Sequence, residues 1–141
     1  MNMSELPVFT WPVRVYWEDT DAGGVVYYAN YLKFLERART EWLSAIGVEQ
    51  DYLAREAGVV FVVRRVEADY LRPARFNDRL TVECRLASLN RASLEMAQRI
   101  LRGTGEDTEI LMEAWVKVAC VAHPDFRPAK IPAIVTQAFN R

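Results

Sequence analysis

Histidine is nearly absent from this sequence: one residue in 141, His123. A Ser-His-Asp or Cys-His arrangement would have to use it, and it stands before Pro124 at the end of an apolar run. There is no G-x-S-x-G elbow and no H-E-x-x-H pair. Walker A and Rossmann glycine patterns are missing as well, and Gly103-x-Gly105 reads as a hairpin turn. Cysteine is scarce, with Cys84 and Cys120 each inside an alternating apolar stretch. Neither has C-x-x-C spacing or a neighbouring His, which argues against zinc and suits buried thiols in a reducing compartment. The longest apolar run, residues 59–63, is far short of a membrane span. Residues 1–11 offer neither a basic n-region nor a signal-length apolar stretch. The chain is therefore expected to be soluble and cytoplasmic. Charge of one sign is not in excess either, the net value being −1. No basic stripe suggests a nucleic-acid partner, although Arg64-Arg65 and Arg72/Arg75 are local basic points suited to a phosphate or two.

What the sequence does contain is a sizeable core and a clear order of elements. Hydrophobic residues make up 51% and charged residues 26%, values of an ordinary globular domain, and a chain of this length is expected to form one domain over residues 1–141. Residues 13–17 (Val-Arg-Val-Tyr-Trp) are β-branched and aromatic and predict a strand. A helical pattern follows the loop 18–24: Tyr28, Tyr31, Leu32, Leu35, Ala38, Trp42 and Ile46 recur at spacings of three and four. Gly47 is its expected stop, and its start is either a cap by Asn30 or an earlier turn at the end of the Gly-Gly loop. A short helix is expected over residues 51–57, ending at Gly58. Strands are expected over 59–71, Arg79–Leu89, Ser93–Arg102 and Glu109–Ala122, the last two joined by a turn at residues 103–107. A short helix is expected near Ala133–Phe139. One long helix with a run of antiparallel strands is an α+β two-layer arrangement. Such a helix leaves one sheet face uncovered, so Trp115 and Val121 are candidates for an oligomer interface.

The remaining chemistry lies in Glu18-Asp19-Thr20-Asp21-Ala22-Gly23-Gly24. Taken alone, three acids in four residues read first as a strand-to-helix turn whose carboxylates cap the helix and face its positive end. The glycines add a second possibility. They let a substrate approach the backbone closely and leave N–H groups at a helix start pointing outward. Such donors suit a carbonyl oxygen that becomes an oxyanion, and a carboxylate beside them can attack that carbonyl or activate water.

The stretch from Trp11 through Asp19-Thr20-Asp21-Ala22-Gly23-Gly24-Val25-Val26-Tyr27-Tyr28-Ala29-Asn30-Tyr31 to Glu41 resembles the hotdog-fold acyl-CoA thioesterases. It is most similar to the group associated with the Tol-Pal system of Gram-negative bacteria, and is related to 4-hydroxybenzoyl-CoA thioesterases. Weaker similarity continues through Val62-Val63-Arg64-Arg65, residues 70–75, Asp78-Arg79-Leu80, residues 97–100 and Ile131-Pro132. The resemblance implies a hotdog fold, a five-stranded antiparallel sheet wrapped around one long helix, with active sites at the interface of a homodimer or homotetramer. It implies hydrolysis of acyl-CoA to free CoA and a carboxylic acid, without a metal or organic cofactor. Asp21 matches the catalytic carboxylate, as nucleophile or general base, and the Tyr28 N–H matches the donor to the thioester carbonyl. Asp19 matches a preceding, non-catalytic aspartate, for which a capping or loop-organising role is expected. Many Tol-Pal-type relatives carry His where this chain has Tyr28, whereas the hydroxybenzoyl-CoA enzymes have Tyr there. Gly23, Gly24 and Tyr27 are expected beside the substrate, with Arg91, Arg64 and Arg65 as candidate partners of the CoA phosphates. An acyl carrier protein is an alternative donor. The competing functions are a non-catalytic acyl-binding or assembly module of the same fold, and a dehydratase, which would lean on the distant His123. Tyr27, Tyr28, Tyr31, Phe34 and Phe61 either line an acyl pocket or fill the core.

Overall fold

The computed structural model describes residues 6–141, so the expectation for residues 1–11 lies partly outside the described residues. Strand β1 (Phe9–Arg14) leads through the loop of interest into helix α1 (Tyr31–Ala45). The short helix α2 (Gln50–Tyr52) continues as a π-turn over Leu53–Ala57. Strands β2 (Val59–Tyr70), β3 (Arg79–Leu89), β4 (Ser93–Arg102) and β5 (Glu109–Ala122) follow, then α3 (Ala133–Phe139). The strands form one antiparallel sheet in the order β1-β3-β4-β5-β2. The expected α+β arrangement of five strands around a long helix is present.

Three strands have the predicted bounds because one face of each is buried in alternation: Leu80, Val82 and Cys84 on β3, Leu94 and Met96 on β4, Met112, Val116 and Cys120 on β5. Bulges at Val63/Arg65, Leu86/Ser88 and Ile100/Leu101 break the register and bend the sheet around α1. Two expectations are corrected. The first strand runs over Phe9–Arg14 rather than residues 13–17, since β1 is an edge strand and tolerates Pro12; Trp17–Asp19 is instead a single 3₁₀ turn. The apolar stripe of α1 is Tyr31, Phe34, Leu35, Ala38, Trp42 and Leu43. Tyr28 lies before it in a 3₁₀ turn (Tyr28–Asn30), and Leu32 is 39% exposed. The stripe runs through Phe34, which has no exposed surface, rather than through Leu32. Gly47, with φ of 88°, ends the helix as expected.

A buried amide fastens helix to sheet. Gln98 on β4 donates to the Leu35 carbonyl at 3.1 Å and accepts from Arg39 at 2.9 Å. The same amide donates to Cys84 Sγ at 3.1 Å. Burial outweighs that bond and pushes the Cys84 thiol up to about 12, while burial also raises Cys120. Both cysteines are buried and unpaired. Because the folded pKa of Cys84 lies above its unfolded value of about 8.5, stability is fully present below that value and declines as pH climbs toward 12. In native protein at pH 8, neither thiol should react with iodoacetamide within an hour; both should be modified in urea, as read by intact mass.

Val121 proves unavailable as an interface residue. It is buried, and its backbone bridges Pro128 in the segment that leads to α3. Trp115 remains partly exposed, as expected.

Candidate active site

The loop between β1 and α1 is a small ribbon folded back on itself. The Tyr27 N–H donates to the Asp19 carbonyl at 2.9 Å, Thr20 bridges Val26, and the Asp21 N–H donates to the Val25 carbonyl at 2.9 Å. Residues 22–24 turn the corner, closed by the Gly24 N–H on the Asp21 carbonyl at 3.0 Å. The ribbon is fixed to the segment before β3: Val26 donates to the Ala74 carbonyl at 2.8 Å, and the Tyr31 hydroxyl accepts the Ala74 N–H at 3.0 Å. Asp21 thus sits at the tip of a tethered hairpin, and Tyr28 begins the turn that becomes α1.

The two glycines have separate reasons. A Cβ on Gly23 would stand 3.2 Å from Asp21 Oδ1, which accepts the Gly23 N–H at 2.8 Å. Gly24 has φ of 79°, and a Cβ there would meet nothing within 4 Å, so its surroundings are open. The other Asp21 oxygen has no hydrogen-bond partner among the described residues. The Tyr28 N–H likewise donates to nothing there. A carboxylate with a free oxygen and an unoccupied amide at a helix entrance therefore share one short ribbon.

Aromatic side chains crowd this corner. Tyr28 is 63% exposed, with its ring 4.9 Å from Tyr27 and 6.3 Å from Tyr70. Tyr70, at the end of β2, donates its hydroxyl to the Tyr28 carbonyl at 2.9 Å and holds that backbone from the sheet side. The neighbouring Tyr28 phenol raises the Tyr27 phenol, with a smaller contribution from the charge of Asp21. Tyr70 was not singled out from sequence, since nothing local in residues 59–71 marks its meeting with a residue on the far side of α1.

The acids do not cap α1 as first expected. Asp19 is buried; its Oδ2 accepts the Tyr16 N–H at 2.8 Å and its Oδ1 accepts the Asn30 amide at 2.7 Å. Asn30 precedes α1 in a helical conformation and makes no side-chain cap. Of the proposed phosphate partners, Arg64 is the bulged, exposed residue of edge strand β2. Arg91 is exposed in the β3–β4 turn, at the opposite end of the sheet from the Asp21 hairpin. The length of β3, on the order of 30 Å, separates them within one chain. His123 lies at that same far end, beyond β5. Among the described residues no group of His, Cys, Asp and Glu is placed to hold a metal ion. Among the described residues, no helix is long and apolar enough to cross a membrane.

A family model described as the thioesterase-like superfamily matches residues 15–139. The chain belongs to that superfamily. It is 44% identical over 132 residues to the acyl-CoA thioesterase YbgC of Haemophilus influenzae, covering 94% of each chain. It is 42% identical to the acyl-CoA thioester hydrolase YbgC of Escherichia coli O157:H7, covering 95% of this chain and 97% of that one. Among solved structures, Slr0204, a 1,4-dihydroxy-2-naphthoyl-CoA thioesterase from Synechocystis, superposes with a TM-score of 0.86 at 25% identity, over 95% of this chain and 96% of that one. A probable thioesterase from Bartonella henselae gives 0.81 at 36% identity, over 89% and 100%. The fold is the hotdog fold of these thioesterases.

Proposed function

We propose that the protein is a single-domain enzyme that hydrolyses acyl-CoA thioesters, with Asp21 as its catalytic carboxylate and the Tyr28 N–H as the donor to the thioester carbonyl. Identity of 44% to a named acyl-CoA thioesterase supports the reaction class. The observation that carries the site is the tethered ribbon of residues 19–27 leading into Tyr28, in which one Asp21 carboxylate oxygen and the Tyr28 N–H have no partner among the described residues.

The carbonyl oxygen of the bound thioester accepts the Tyr28 N–H, and the positive end of α1 stabilises the charge that develops there. Loss of one such donor in other enzymes costs about 10²–10³ in rate. Asp21 then follows one of two routes. In one it attacks the carbonyl carbon, the C–S bond breaks, CoA leaves as thiolate, and water hydrolyses the mixed anhydride. In the other it takes a proton from water as that water attacks. Each route ends in a carboxylic acid and free CoA without a metal or organic cofactor. The open space at Gly24 and the tight fit at Gly23 let the thioester pass close to the backbone, with Tyr27 alongside.

Assembly belongs to the same reading. Edge strand β2 is 12 residues long and exposes Val63 and Val66, and an uncovered edge of that kind is a template for pairing with a copy of itself. A dimer formed there places active sites near the seam, and Arg64 on it. The outer face of the sheet carries a trough of about 680 Å³ lined by Arg85, Arg99, Glu113, Trp115, Glu67 and Asp69. Asp69 and Glu113 oppose each other directly across β2 and β5, and Arg85 Nε is buried without a partner among the described residues. A two-fold copy sets arginines against those acids, which favours a homotetramer. Arg91 would then reach a CoA phosphate only from a neighbouring subunit. CoA substrate and two unpaired cysteines fit a cytoplasmic location; an acyl carrier protein is the other donor to test.

Release of free thiol from a panel of aliphatic and aromatic acyl-CoAs tests the reading. Turnover on at least one member is expected. Failure across that panel and across acyl carrier protein thioesters would leave a non-catalytic binding module.

A further inference from the structure

Beside the Asp21 hairpin, two buried polar side chains have no part in the mechanism above. Asp19 is 7% exposed and Asn30 is 8% exposed, and a carboxylate and an amide so placed need a reason. Their bond is 2.7 Å long and joins the two limbs of the loop. Asp19 lies two residues before Asp21, and Asn30 lies two residues after Tyr28. The pair is thus a crossbar at equal sequence distance from the two groups that must meet the substrate.

All three acceptor oxygens of Asp19 are engaged on this ribbon. Oδ2 takes the Tyr16 N–H at 2.8 Å, Oδ1 takes Asn30, and the main-chain carbonyl takes the Tyr27 N–H at 2.9 Å. Asn30 in turn donates its own N–H to the Tyr27 carbonyl at 2.8 Å. At the position before α1 an Asn side chain ordinarily caps the helix, a contribution of about 1 kcal/mol. Here it turns away to Asp19 and the cap is missing. A local rule broken at this point marks a functional constraint.

We propose that Asp19 and Asn30 are positioning residues for hydrolysis, fixing the Asp21 carboxylate relative to the Tyr28 N–H. The proposal rests on the catalytic reading of Asp21. Neither side chain touches substrate; each acts through the main chain it holds. Displacement of a reacting group by about 1 Å can cost about 10²-fold in rate, and release of the crossbar frees both limbs at once.

The test is a reciprocal exchange. Asn30→Asp sets two carboxylates face to face, and kcat should fall about 10²-fold at neutral pH with KM within about threefold. Lowering the pH lets the facing pair share a proton, so the ratio of variant to wild-type kcat should rise. The double variant Asp19→Asn/Asn30→Asp restores a donor opposite an acceptor, and kcat should return to within about tenfold of wild type. If Asn30→Asp does not fold, Asn30→Ala removes the crossbar without adding charge and should show the same kcat loss at nearly constant KM. A double variant no better than Asn30→Asp overturns the proposal, as do folded single variants that lower Tm and leave kcat untouched. Undiminished turnover by Asp21→Asn would instead remove the catalytic reading, so the two failures are distinguishable.

Discussion

Asp21→Asn should reduce kcat for acyl-CoA hydrolysis by about 10²–10⁴-fold while moving Tm by no more than about 2 °C. The asymmetry follows from the local geometry. Asparagine keeps the shape of the side chain and an oxygen for the Gly23 N–H, the one hydrogen bond the carboxylate makes among the described residues. Asp21 is exposed at the hairpin tip and supports no buried network. What the change removes is the negative oxygen that attacks or takes a proton. Thiol release measured beside a thermal melt checks both halves. A single turnover of wild type in ¹⁸O-water separates the two routes further. An acid product without label requires its new oxygen to have come from Asp21, whereas general-base attack by water labels every product molecule.

Most of the sheet was legible because its strands alternate. Arg79–Leu89, Ser93–Arg102 and Glu109–Ala122 bury every second side chain against α1 over many residues, and only one register hides that set. β1 was misplaced for a physical reason: Pro12 argues against a central strand, and edge position is a property of the whole sheet that the local sequence does not carry. Strand order was likewise not legible, since it depends on long-range pairing of β1 with β3 and β2 with β5.

In the site, the legible part is the part made by neighbours in the chain. The acidic, glycine-bearing turn ahead of a helix was legible in the residues themselves and does form one tight hairpin, whereas Asp21 was singled out within it by the family resemblance. Of the two roles open to Asp19, organising the loop is the one observed; capping, expected of Asn30 as well, is a local rule outcompeted by a bond between residues 11 apart. Tyr70 was missed because it meets the Tyr28 carbonyl across 42 residues of chain. The proposed phosphate partners are scattered in one chain. Chain-local chemistry is readable; chemistry assembled across the fold is not.

Phe34→Ala should destabilise the protein by about 3–5 kcal/mol and lower Tm by roughly 10 °C or more. Phe34 has no exposed surface and lies edge-on to Tyr31 at 6.2 Å, inside the stripe that docks α1 on the sheet. Truncation leaves a cavity that surrounding side chains fill only in part. Leu32→Ala, on the outer side of the same helix, should cost no more than about 0.5 kcal/mol, which tests the helical register as well as the burial. The pair also decides between the two roles open to Phe34 from sequence. As a core residue, its truncation lowers Tm while KM for a preferred acyl-CoA stays nearly constant well below the melt. An unchanged Tm with a steep rise in KM would make Phe34 a wall of the acyl pocket, and α1 would then be held mainly by Leu35, Ala38, Trp42 and the Gln98 amide.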